Sequence, residues 1–168
     1  MEFKKVVQYR QSIRAFKDEQ IPDNFVSEIL ECGMKAPIGK GEYNRYTLLV
    51  LQGDKLKTFQ KMLIAKTGHD ETYNSPLLIL VMAIILRPEL DYQNTGCILE
   101  NMCLEATNLT YGSTYLWSVA RILQENKDLK NYLGIDENTT VLGGVTIGKP
   151  TDEYKFIDKE HKIKVIYQ

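Results

Sequence analysis

Two guanidiniums and a hydroxyl fall within five residues near the start of the chain, at Arg10, Ser12 and Arg14, with Gln11 and Ile13 between them. A phosphate monoester suits such a grouping. Arginine offers a planar fork of donors matched to phosphate oxygens, and serine adds a short hydroxyl donor. A solvated surface segment contains the same residue types, so these three are candidates whose weight comes from the rest of the chain.

Other reactive side chains are sparse. The three cysteines, Cys32, Cys97 and Cys103, show no Cys-x-x-Cys spacing. Each lies in an apolar helical stretch, where a thiol acts as a small buried hydrophobe. The two histidines, His69 and His161, are far apart and lack ligand-like neighbours, which argues against zinc and against a Ser-His-Asp triad. Gly39-Lys40-Gly41 follows a helix and precedes a strand. A dinucleotide fingerprint needs the reverse order, so these glycines read as a turn or as a close backbone approach to something flat.

The elements that must position these residues follow from the hydrophobic pattern. A first helix is expected over 3–9 and a short extended piece over 12–16. Pro22-Asp23 opens a second helix whose buried face is Val26, Ile29, Leu30, Gly33 and Met34, and Pro37 ends it. A strand over 46–51 leads through Gly53-Asp54 into a helix carrying Leu56, Phe59, Leu63 and Ile64. The apolar run 77–86 reads as a central strand covered on both faces. A mostly buried helix spans about Thr95 to Thr110, with Asn94, Asn101, Glu105 and Asn108 on one stripe and Gly112 as its stop. An extended piece over 113–117, helices over 118–123 and 127–133, and a strand over 140–148 complete the core. Among the aromatic residues, Tyr43, Tyr73 and Tyr92 could stack on a ligand, while Tyr115 and Trp117 are expected in the core.

The totals fit one domain, 1–168. Its 168 residues are 43% hydrophobic and 26% charged, and 21 basic against 22 acidic side chains give a net charge of -1. No basic field draws in nucleic acid, and no apolar run reaches the roughly 20 residues a bilayer requires, so no membrane partner is expected. The opening residues lack a signal-peptide apolar core, which places the protein in the cytoplasm. The terminal segment Lys162–Tyr167 is strand-like after a polar tail, and either folds back or pairs with a partner's sheet edge in a dimer with exchanged arms.

Taken in order, these motifs resemble the nitroreductase family of FMN-dependent enzymes over essentially the whole chain. Arg10-x-Ser12-Ile13-Arg14 is similar to its N-terminal signature, and the helix ending in Ala36-Pro37 to the segment before its flavin loop. Glu100-Asn101-Met102 through Gly112-Ser113, Leu133-Gly134-Ile135 and Gly148-Lys149-Pro150 are similar to its later motifs. The resemblance implies an α+β three-layer sandwich, a mixed or antiparallel sheet flanked by helices, with the C-terminal strand exchanged in a homodimer. It implies FMN held by Arg10, Ser12 and Arg14 at the phosphate and ribityl chain, by Pro37, Ile38 and Gly39 at the ring, and by main chain at Ser118 and Val119. Lys159 and His161 match the family's basic tail pair, although a histidine stands where arginine is usual, and Lys159 reads equally as a solvated tail residue.

The family's Asn-x-Gln-Pro-Trp stretch appears here as Gly41-Glu42-Tyr43-Asn44-Arg45, which leaves Asn44 as a displaced substitute. The implied activity is an NAD(P)H-dependent flavin oxidoreductase working by a ping-pong mechanism on a small electron-poor acceptor such as a nitroaromatic, a quinone or a flavin. The stretch 86–96 leaves little room for a covering insertion, so an open pocket is expected. The alternatives are a non-catalytic flavin carrier or sensor, and an interaction module that shares only the core pattern.

Overall fold

The computed structural model describes residues 1–153 and 163–168. Its centre is a four-stranded antiparallel sheet of order β1-β2-β4-β3, made of β1 (Tyr46–Gln52), β2 (Leu77–Ala83), β3 (Gly112–Leu116) and β4 (Thr140–Gly148). The β2 run is buried at every position, and its alternation sends successive residues to opposite faces. Leu77, Ile79 and Val81 meet α2 (Asp23–Met34) and α4 (Pro88–Asn108). Leu78, Leu80 and Met82 meet α3 (Gly53–Thr67), α5 (Ser118–Glu125) and α6 (Lys127–Leu133). The result is the expected α+β sandwich.

Both edges of the sheet bear on the site. At the β3 edge, the segment after α1 (Phe3–Tyr9) runs alongside the strand: Ser12 bridges Ser113, and the Ile13 amide donates to the Ser113 carbonyl at 3.0 Å. Gly112 permits this approach, because a Cβ there would stand 2.7 Å from Cγ1 of Ile13. A Gly112→Val substitution is therefore expected to push the 10–14 segment off the sheet and to destabilise the fold by about 1–3 kcal/mol, measurable by urea denaturation. At the other edge β1 has no strand beside it among the described residues, and Leu48, Leu49 and Val50 are only half buried.

Several sequence expectations are corrected. The long helix begins at Pro88 rather than near Thr95, because Pro88 opens it and the Asp91 carboxylate accepts the Leu86 and Arg87 amides, each at 3.0 Å, closing its first turn. Residues 88–96 thus belong to the helix, and 84–87 form the link from β2. That helix stops at Asn108, and Gly112 is the first residue of β3. Met34 and Ile64 are exposed, at the margins of faces that periodicity alone made too wide. Of the cysteines only Cys103 is buried; Cys32 is half buried and Cys97 exposed. Tyr115 and Trp117 are 45% and 63% exposed instead of core, since Tyr115 lies on the outer strand β3 and Trp117 one residue beyond its end. Residues 163–168 form no strand within the chain and are exposed throughout. No helix among the described residues is long and apolar enough to cross a membrane.

Candidate functional site

The site is built on the two edges of the sheet and on α4 between them. Arg10 caps α1, its amide donating to the Val6 carbonyl at 2.9 Å, and its Nε lies 3.3 Å from the Glu100 carboxylate on α4. Ser12 is exposed on the β3 edge, and the Thr114 hydroxyl donates to the Ile13 carbonyl beneath it. The Arg14 guanidinium rests 5.9 Å over the ring of Tyr73. Tyr73 is held for this in the left-handed region, φ 57°, by its neighbours. Asp70 accepts the Thr72 amide and hydroxyl at 2.9 and 2.7 Å and also the Asn74 amide, while buried Gln60 donates to Thr72 and to the Ser75 carbonyl. Arg10 and Arg14 therefore face different elements, with Ser12 between them. Asp70-x-Thr72 is the local sequence signal for that turn.

The second group gathers around the start of α4. Asp91 is fully buried and ionised, and its Oδ1 accepts the Tyr46 hydroxyl at 2.8 Å. An ionised carboxylate only accepts, so Tyr46 must donate to it and in turn accept from Asn94 Nδ2, also at 2.8 Å. That orientation leaves Asn94 Oδ1 to accept the Gly39 amide at 3.0 Å. Asp91 Oδ2 accepts Arg45 Nη2 at 3.0 Å in addition to the two backbone amides. Burial alone would raise the Asp91 carboxyl, but the donors from Arg45, Arg87, Leu86 and Tyr46 outweigh it and hold the group far below the usual carboxylate range. Burial, and the Asp91 charge beside it, raise the Tyr46 phenol.

In the 37–39 segment two backbone groups are already engaged, since Gly39 N–H serves Asn94 and the Ile38 carbonyl accepts the Gly41 amide at 2.9 Å. Glu42 is bound by Arg45 at 3.0 Å and by Arg87. Lys40, at the loop tip, sits in the left-handed region with φ 64°, a conformation that costs a non-glycine residue about 1–2 kcal/mol. Asn44 and Ile38 line one groove, about 590 Å³, between α2 and the bare side of β1, with Leu30, Met34, Tyr46 and Val50.

Ser118 and Val119 begin α5. The Val119 side chain is wholly buried in the core, so only its backbone can meet a ligand. Beside it the Arg121 guanidinium stacks 5.6 Å over the exposed Trp117 ring. Burial pushes the Cys103 thiol up to about 11, which leaves it a thiol at neutral pH and removes it from nucleophilic roles. Lys159 and His161 lie outside the described residues. Sequence reasoning missed Asp91, Arg45, Arg87 and Glu100. An aspartate at the fourth helical position after a proline was the available signal for the first, and the partners needed the fold.

No protein-family model matches the chain. A protein of Archaeoglobus fulgidus, whose name places it among NADH dehydrogenases and NAD(P)H nitroreductases, is 32% identical over 162 residues, covering 94% of this chain and 91% of that one. A Bacteroides fragilis nitroreductase solved with bound FMN superposes with a TM-score of 0.85 at 23% identity, over 99% of this chain and 100% of the other. A variant of an FMN and NADPH-dependent nitroreductase from Sphigopyxis sp. strain HMH gives a TM-score of 0.82 at 14% identity, over 100% and 99%.

Proposed function

Because the chain belongs to the nitroreductase family, we propose that it is an FMN-dependent oxidoreductase that takes electrons from NADH or NADPH and passes them to a small electron-poor acceptor, a nitroaromatic, a quinone or a flavin. The observation that carries this reading is the fixing of Arg10, Ser12 and Arg14 beside β3, where two guanidiniums and a hydroxyl remain accessible as donors. Such a donor set fits the phosphate of FMN, and the flat apolar groove at Ile38 and Tyr46 fits an aromatic ring. When bound, FMN supplies the hydride and electron chemistry. The chain's own residues bind and orient: Arg10, Ser12 and Arg14 grip the phosphate and ribityl chain, the 37–39 loop borders the ring, and the backbone at Ser118 and Val119 faces its reactive edge. Donor and acceptor then use one open face in turn, a ping-pong order.

Within one copy the two groups of residues meet different faces of α4. The loop joins α4 at Asn94 and Arg10 joins it at Glu100. Six residues on an α-helix are about 9 Å along the axis and roughly 120° around it. We read the site as completed between two copies, the phosphate grip from one and the ring loop from the other. With Ser12 and Ile13 already beside β3, the β1 edge is where the partner's apolar 163–167 arm would add a strand. Deleting 163–168 is expected to convert a dimer into a monomer that no longer retains FMN, as read by analytical ultracentrifugation and by the flavin spectrum. A truncated chain that stays dimeric would refute the arm's role.

The activity itself is tested anaerobically. The purified protein should be yellow, its flavin band should bleach with NADH or NADPH, and it should recover on adding menadione or nitrofurazone. A yellow protein that neither nucleotide bleaches would be a carrier or sensor instead. A colourless protein indifferent to added FMN would remove both readings.

A further inference from the structure

We propose that Lys40 is the contact this protein offers to a phosphate of the nicotinamide donor, and that it thereby sets how tightly the donor is held; this rests on the reading of the chain as an NAD(P)H-oxidising flavoprotein. Lys40 lies at the tip of a Gly-Lys-Gly turn with φ 64° and ψ 5°, where a glycine would sit without strain. The loop cannot relax to relieve it. Gly39 is tied to Asn94, Gly41 to the Ile38 carbonyl, and Glu42 to Arg45 and Arg87. A strained residue persists where its surroundings over-determine it, and such residues concentrate at ligand clamps.

Charge accounting gives that strain a direction. Glu42 is the acid of the loop, and two guanidiniums already neutralise it. The Lys40 ammonium has no ion pair or hydrogen bond among the described residues; Lys4, Lys5 and Lys61 share that state, but Lys40 is the one that sits on the loop beside the groove. Lys40 belongs to the loop whose flanking residues Ile38, Tyr43 and Asn44 line the groove, and the groove's own walls offer few groups for a phosphate. A compact ammonium on a flexible stem suits a phosphate as a point charge. Two sources carry that chemistry: the pyrophosphate common to NADH and NADPH, and the 2′-phosphate of NADPH alone.

The experiment uses the FMN-loaded protein, with menadione as an uncharged acceptor and each nucleotide as donor in turn. Lys40→Gly removes the charge and the strain, Lys40→Ala removes the charge only, and Lys40→Arg keeps both. The donor KM is expected to rise roughly tenfold in the Gly and Ala variants and to stay within about twofold in Arg, as loss of one charge-assisted contact predicts. Lys40→Gly should hold or raise Tm, because relief of strain offsets the extra freedom of glycine in the unfolded chain. A rise with NADPH alone assigns the contact to the 2′-phosphate, and a rise with both nucleotides assigns it to the pyrophosphate. An unchanged KM in both Gly and Ala variants overturns the proposal, as does a rise that Lys40→Arg shares. Wild-type flavin that neither nucleotide reduces overturns the parent reading too, and that result appears before any variant is made.

Discussion

Asp91→Ala is expected to cost about 3–5 kcal/mol of stability, the usual penalty for removing one partner of a buried, hydrogen-bonded charge pair. The substitution leaves Arg45 Nη2 with only the Ile84 carbonyl, and it strips the Tyr46 hydroxyl and the Leu86 and Arg87 amides just before α4 of their acceptor. It also cuts the chain of donors that ends at Gly39, so the loop over the groove should loosen even in molecules that remain folded. Urea denaturation followed by circular dichroism reads the first effect, and hydrogen exchange at the Gly39 amide reads the second. A loss below about 1 kcal/mol would show that the buried carboxylate is not what fixes this end of α4. The pH dependence has a definite sign. The folded-state value lies below the unfolded one, so the stabilisation is fully present above the ordinary carboxylate value and is lost as pH falls towards the depressed folded one. The wild-type protein should therefore lose more stability on acidification than Asp91→Asn does.

Arg10→Ala is expected to weaken FMN binding by roughly 10- to 150-fold, the equivalent of one charged hydrogen bond of about 1.5–3 kcal/mol. Quenching of FMN fluorescence on titration with apoprotein measures it directly. The side chain lies at the surface end of α1, paired with a half-exposed glutamate, so the fold should tolerate its loss, and a Tm shift of more than a few degrees would point to a structural role instead. Full retention of FMN affinity would move the phosphate away from this arginine. Because Glu100 already holds the guanidinium at 3.3 Å, an incoming phosphate must compete with it. Raised salt should therefore weaken binding in the wild type and much less in the variant.

How much of this was legible in the chain depends on whether a feature is local. The apolar run at 77–86 and the helical faces of α2 and α3 rest on neighbours in sequence, and they appear where the pattern puts them, save that the strand ends at Ala83 and that Met34 and Ile64 are exposed. The start of α4 was missed because Pro88 and Asp91 act through amides and a hydroxyl that only the fold brings near, Tyr46 being 45 residues away. Trp117 looked like core by composition alone. Its exposure follows from standing one residue beyond the end of β3, a matter of topology. Of the candidate site residues, Arg10, Ser12 and Arg14 were visible as donors. Their pairing with Glu100, Ser113 and Tyr73 was not, since nothing in spacing links residues 59 to 101 positions apart.

Among the described residues the outer strand Tyr46–Gln52 has no strand beside it, and its cost falls on newly made copies. YTLLVLQ is seven residues of high β-propensity without a charge or a proline, the signature of segments that template amyloid-like stacking when left unclaimed. In the pairing proposed above a second copy's arm would claim this ribbon, so crowded expression in a heated culture should yield fibrous inclusion bodies, whereas slow synthesis at low temperature should keep the protein in solution.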